Sequence, residues 1–135
     1  MFEAMTDPGV DTVKVVRRWY ETKDPDLLDP NIYWEVLSTF PEGGAYCGRD
    51  VVIKQFFPRL MSHFTTLIAI PREHYWNGSG VVTLGRYEGS VGEERFVAEF
   101  AHLWRATGGR LSLFKQITDT AVIQKVRGQM DRDCC

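Results

Sequence analysis

The stretch FVAEFAHLWRATGGRLSLFKQITDT, residues 96–120, restricts the fold more than any other part of the chain. Its apolar residues recur at every second position on either side of Gly108-Gly109. That period does not suit a helix and does suit two antiparallel strands joined by a glycine turn. Phe96, Ala98, Phe100, His102 and Trp104 then share one face, and Val97, Glu99, Ala101, Leu103 and Arg105 the other. His102 is thus a titratable ring set into an apolar wall. Asp119, at the end of the second strand, is expected near the same wall. An imidazole and a carboxylate in one cavity would make an acid/base pair.

The rest of the chain supplies elements that can close such a cavity. Asp7-Pro8 is a helix-start signature, and Val10, Val13, Val16 (or Arg17) and Tyr20 recur at helical spacing to about Thr22. DPDLLDP is a short helical turn or loop between prolines. Residues 31–37, NIYWEVL, read as a strand, and PEGGAYCGRD as a loop whose Asp50 caps the next helix. That helix spans about 51–63, with a kink or break expected at Pro58. Residues 64–70 and 74–76 form a strand interrupted at Pro71. A turn at 77–80 leads into a strand over 81–88, and Gly89–Gly92 turns into the long strand. After Ala121 a strand end or short helix gives way to a fraying tail over 126–135. Helices segregated from a mostly antiparallel sheet mean α+β, and a long sheet that twists and curls under them leaves a conical pocket.

With 135 residues the chain is one domain, read as a folded core over about 8–125. A net charge of -2 leaves no basic footprint for nucleic acid, and only Arg17-Arg18 are adjacent, so no anionic membrane surface is indicated. No apolar run approaches the roughly 20 residues of a membrane span. The acidic N-terminus lacks the regions of a signal peptide, so the expected location is cytoplasmic. Cys47, Cys134 and Cys135 form neither a zinc spacing nor a disulfide framework and read as unpaired thiols. No metal or cofactor is implied.

The order of elements resembles the nuclear transport factor 2-like superfamily, in its SnoaL-like and ketosteroid-isomerase-like branch. The resemblance is carried by Trp19-Tyr20 and Asp24 at the end of the first helix, by Ile32-Tyr33-Trp34, and by GGAYCGRD before Phe56-Phe57. FAHLW, the Gly-Gly turn and the closing TDT complete it, over residues 10–122. It implies a curved sheet wrapped by about three helices into a cone-shaped barrel, and a homodimer through the outer face of the sheet, with Arg105, Lys115 and Leu113 or Phe114 at the interface. It also implies where sites fall. The isomerases' carboxylate base falls at or near Glu35 and their acid on His102. Their helix tyrosine falls on Val16, with Tyr20 one turn later. The cyclases' acid falls on Gln116. The epoxide hydrolases' last-strand aspartate falls on Asp119, but their middle-strand Arg and Asp fall on Gly85 and Tyr87. No full catalytic set is reproduced.

Each candidate has two readings. His102 is a proton donor or shuttle, or a hydrogen-bonded core histidine. Asp119 orients His102 or acts as a base, or caps the last strand. Glu35 is the base, or the solvent-facing member of an alternating strand. Tyr20, Trp34, Tyr46, Phe56, Phe57, Tyr87, Phe100 and Trp104 wall a pocket for a small apolar or polycyclic molecule, or are ordinary core. His63 and His74 read as surface residues. The functional expectation is a cofactor-independent isomerase, cyclase or dehydratase acting by proton transfer on an apolar carbonyl compound. A non-catalytic ligand-binding or dimerisation module and an epoxide hydrolase are the alternatives.

Overall fold

The computed structural model describes residues 7–134, with side chains over 7–128. Helix α1, Pro8–Thr22, starts where Asp7 accepts hydrogen bonds from the Gly9 and Val10 amides at 2.9 and 3.3 Å. It ends at Lys23, and a single 3-10 turn, Pro25–Leu27, feeds strand β1, Leu28–Val36. Strand β2, Gly44–Cys47, lies inside what the sequence reads as a loop. Two glycines in its neighbourhood masked a four-residue strand that pairs with β1 from Tyr33 to Val36.

Helix α2 occupies residues 49–61, and Asp50 does not cap it: the N-cap position is Gly48, and Asp50 lies 4.0 Å from Lys54. Its middle, Val52–Phe56, is a π turn in which the Phe57 amide bonds to the Val52 carbonyl. The reason is Pro58, whose ring would collide with the carbonyl four residues back in a regular α-helix. The wider turn relieves that collision, and the helix resumes over Phe57–Met61. The expected kink is thus a π turn ahead of the proline.

Four antiparallel strands complete the sheet: β3 (Thr66–Trp76), β4 (Val81–Val91), β5 (Glu94–Thr107) and β6 (Arg110–Thr118). Pro71 does not interrupt β3, because β3 is an edge strand and the register shifts between Pro71 and Glu73. The turn expected at Gly89–Gly92 falls later, since Gly89 and Ser90 are paired within β4. The strand order β2-β1-β6-β5-β4-β3 contains one parallel pairing, β1 with β6. Helix α3, Thr120–Cys134, begins where the sequence offers a strand end or short helix; its Ile123 and Val126 are buried, and it packs on β5 and β4.

The result is a mixed, curved, unclosed six-stranded sheet with three helices. Two glycines of β4 shape the curve. A β-carbon on Gly85 would come within 2.3 Å of the Ile70 carbonyl and 2.8 Å of the Phe100 ring. One on Gly89 would meet the Thr66 carbonyl at 2.4 Å and the Phe96 ring at 2.8 Å. Each glycine pairs directly with the phenylalanine whose ring covers it. Replacing Gly85 with Ala is expected to destabilise the fold by about 1–3 kcal/mol, read from the urea midpoint at unchanged m.

Candidate functional site

His102 sits at the middle of the inner face, 3% exposed, on the longest strand. The Phe100 ring stacks on it at 3.8 Å, the Tyr20 ring lies parallel at 5.9 Å, and Phe114 meets it edge-on at 4.7 Å. A polar ring so enclosed has to find partners for both nitrogens. Tyr20 Oη is 2.5 Å from Nδ1 and Tyr87 Oη is 2.7 Å from Nε2. The chain of bonds continues outward at each end. Trp104 Nε1 donates to Tyr20 Oη at 3.0 Å, and Gln116 Nε2 donates to Tyr87 Oη at 2.8 Å.

Burial, reinforced by the positive charge of Lys23, pushes the His102 pKa well below its usual value. Burial pushes Tyr20 and Tyr87 up. All three groups are therefore neutral near pH 7. A neutral imidazole has one N–H and one lone-pair nitrogen, so it donates to one tyrosine and accepts from the other. The tyrosine that receives the imidazole N–H already accepts from Trp104 or Gln116. Its own hydroxyl proton is left uncommitted within the chain. Switching the imidazole tautomer moves that spare proton from one tyrosine to the other.

Both tyrosines line a cavity of about 540 Å³ between the inner sheet face, α1 and α2. Trp19, Trp34, Trp104, Phe56, Phe57 and Phe114 supply aromatic walls, and Trp34 and Phe114 stack at 3.9 Å. Among the described residues, two buried polar side-chain atoms have no partner: Trp34 Nε1 and Gln116 Oε1, both on cavity-lining residues. Among the described residues, Lys23 is the one charged residue of the lining, and no carboxylate belongs to it.

No protein-family model matches the chain, and no curated protein does. Solved structures do. A nuclear transport factor 2-like protein from Burkholderia thailandensis E264 is 26% identical, with a TM-score of 0.77 over 90% of this chain and 98% of that one. One of unknown function from Burkholderia pseudomallei K96243 is 24% identical, with a TM-score of 0.75 over 90% and 98%. A SnoaL-like polyketide cyclase from Jannaschia sp. CCS1 is 16% identical, with a TM-score of 0.76 over 93% and 97%. This chain has the nuclear transport factor 2-like fold.

Within that nuclear transport factor 2-like cone the residues singled out from sequence separate into two groups. His102, Tyr20, Trp34, Phe56, Phe57, Tyr87 and Trp104 line the cavity. Phe100 lies beneath His102, outside the lining, and Tyr46 packs on the far side of Phe56, its hydroxyl donating to the Glu42 carbonyl at 2.5 Å. Asp119 does not meet His102. The residue opposite His102 on β6 is Gln116, so Asp119 is out of phase, beyond the strand end and exposed, with its amide donating to the Glu99 carbonyl. Glu35 is likewise out of phase: Trp34 and Val36 are buried, while Glu35 faces outward and accepts from Tyr33 Oη at 2.8 Å. Of the pair Leu113 or Phe114 expected at an outer interface, Phe114 is 3% exposed and points inward, while Leu113 pairs with Arg105 in the outer phase.

Two histidines expected at the surface are half-buried and bonded. His63 Nε2 lies 2.7 Å from Glu42 and its Nδ1 2.9 Å from Arg127, while His74 Nδ1 lies 2.8 Å from Thr83 Oγ1. Among the described residues no group of three or more His, Cys, Asp or Glu is placed to hold a metal, and no helix is long and apolar enough to cross a membrane. Cys47 is free and exposed; the two terminal cysteines lie outside the described side chains. Sequence reading missed Trp19, Lys23 and Gln116 as lining residues, although the inner-face period of β6 points to the last.

Because His102 is held neutral, the unfolded chain takes up a proton below about pH 6.5 that the folded chain refuses. Stability from this group is present above that pH and is lost as pH falls toward the lower folded value. The slope approaches ~1.4 kcal/mol per pH unit within that window. Substituting His102→Gln is expected to flatten the dependence of the urea midpoint on pH below about 6.5.

Proposed function

We propose that this protein is a cofactor-independent enzyme that moves a proton between two positions of an apolar, carbonyl-bearing small molecule. The observation that carries the reading is the unbroken Tyr20–His102–Tyr87 chain facing an apolar cavity. In the forward sense, Tyr87 delivers its hydroxyl proton to the substrate oxygen and receives the Nε2 proton of His102. Nδ1 receives the Tyr20 proton, and Tyr20 Oη takes a proton from the substrate. Protons balance, each protein group ends neutral, and the imidazole has changed tautomer. Such a relay suits groups whose charged forms are all disfavoured by burial. A carboxylate base would have worked otherwise, but neither Glu35 nor Asp119 is in the lining.

That same lack of a carboxylate in the lining favours a second reading, a small-ligand binder. Structural neighbours of the fold were crystallised with polyporic acid and with trimethylamine, which supports a small-molecule occupant under either reading. An epoxide hydrolase gains no support, since Gly85 is closed by Phe100 and Tyr87 is engaged by His102. Loss of an enolisable aryl dione's enol absorbance separates the readings. The relay predicts that Tyr87→Phe, Tyr20→Phe and His102→Gln each lower the rate about a hundredfold or more while binding persists. A compound that binds yet is returned unchanged by the unaltered protein would leave the binder.

We also infer that two copies pair through the convex sheet face, where Val97 and Ile117 are 57% and 64% exposed. Arg105 and Lys115 share that face with Glu35 and Glu99, giving a patch that complements itself about a two-fold axis. Ile117→Lys is expected to convert the dimer to a monomer in sedimentation, and a wild-type monomer at all concentrations would overturn the pairing.

A further inference from the structure

The cavity's polar groups are biased toward donors. On the lining residues, Trp34 Nε1 has no acceptor, though the atom itself is buried, and one tyrosine hydroxyl has a proton to spare. Against these stands one unpartnered acceptor, Gln116 Oε1. The lining has one charged group, the Lys23 ammonium, and among the described residues no carboxylate pairs with it. Nζ rests 5.6 Å from the Trp19 ring centre and 5.3 Å from that of Tyr20, donating only to the Tyr20 carbonyl at 3.1 Å.

The backbone gives an independent observation. Lys23 closes α1 in the left-handed region, φ 54 and ψ 30, where glycine is the usual residue because a β-carbon costs roughly 1–2 kcal/mol there. If Lys23 only ended the helix, glycine would end it at lower cost. The strained residue instead places a cation at the cavity wall, close enough that its charge is felt at His102.

We infer that the ligand of this cavity is an apolar, largely aromatic acid, whose anionic group is held by Lys23 while its ring system lies among the tryptophans. The inference rests on the small-molecule reading above and adds the substrate class: a carboxylate, or an acidic enol or phenol, beside the carbonyl that faces the tyrosines. An anion here completes a cation that no described carboxylate pairs with, and the ring faces of Trp19 and Tyr20 hold the ammonium in place meanwhile.

The test uses two probes of matched shape, 1-naphthylacetate and the neutral 1-naphthylacetamide, titrated against the whole chain by tryptophan fluorescence at neutral pH and low salt. The acid is expected to bind about fivefold tighter than the amide or better, with the preference shrinking as salt is added. Lys23→Gln and Lys23→Gly should erase the preference, acid binding falling to the level of the amide in the same variant. Lys23→Gly also removes the left-handed strain, so its melting temperature should hold or rise, which separates lost anion binding from lost folding. Equal binding of acid and amide by the wild-type chain, or a preference that survives in both variants, would overturn the inference while leaving the cavity as a ligand site. Binding of neither probe would remove the small-molecule reading and this inference together. Failure of the relay is read elsewhere, as turnover untouched by Tyr87→Phe.

Discussion

The structure depends on satisfying one buried imidazole. Each nitrogen of His102 left bare inside this aromatic shell would cost about 1–3 kcal/mol. The partners come from two different elements, Tyr20 on the last turn of α1 and Tyr87 on β4. The bond to Tyr20 therefore fixes the register of the helix against the sheet, not merely its proximity. Trp104 and Gln116, on β5 and β6, lock the two hydroxyls from behind. Four elements converge on a single ring, and each donor or acceptor in the chain is oriented by the next.

The cavity exists because the sheet bends before its aromatic side chains can fill the inner space. Gly85 and Gly89 leave the inner face of β4 bare on either side of Tyr87, and the rings of Phe100 and Phe96 fold over the bare backbone. Bending there brings the inner wall toward α2, whose Phe56 and Phe57 approach Trp34 at 5.9 and 5.5 Å with rings steeply inclined. Edge-to-face contact is attractive yet holds rings apart, so a wall of crossed aromatics keeps its shape without closing up.

Much of this was legible in the residues, and the misses have physical causes. Strict alternation over 96–104 placed His102 on the inner face, because one wrong step would have exposed Phe100 and Trp104 together. The Asp-Pro start of α1 and the meander of long strands followed from local chemistry. Asp119 was misplaced because proximity to a strand end says nothing of phase, and phase gives the position opposite His102 to Gln116. The choice between Leu113 and Phe114 as the outward residue stayed open because the register shifts between Arg105 and Ala106, which changes which β6 residues face the cone. Strand β2 is four residues in a glycine-rich stretch, below what a periodic signal can reveal. No local rule announces that a lysine after a helix will take a left-handed conformation.

Four departures from local preference lie around one volume, while a fifth, the left-handed Glu42 at φ 60, lies outside the cavity lining. The π turn of α2 presents Ile53 and Phe56 to the cavity, Lys23 holds a backbone conformation better suited to glycine, and the indole of Trp34 and the carbonyl of Gln116 are buried without partners. Scattered through the molecule, four such costs would be noise in the folding energy. Gathered on the walls of a single hollow, they are costs that a core selected only for stability would have removed by ordinary substitution. Two of them are missing hydrogen bonds, one a donor and one an acceptor, both on residues that wall the cavity.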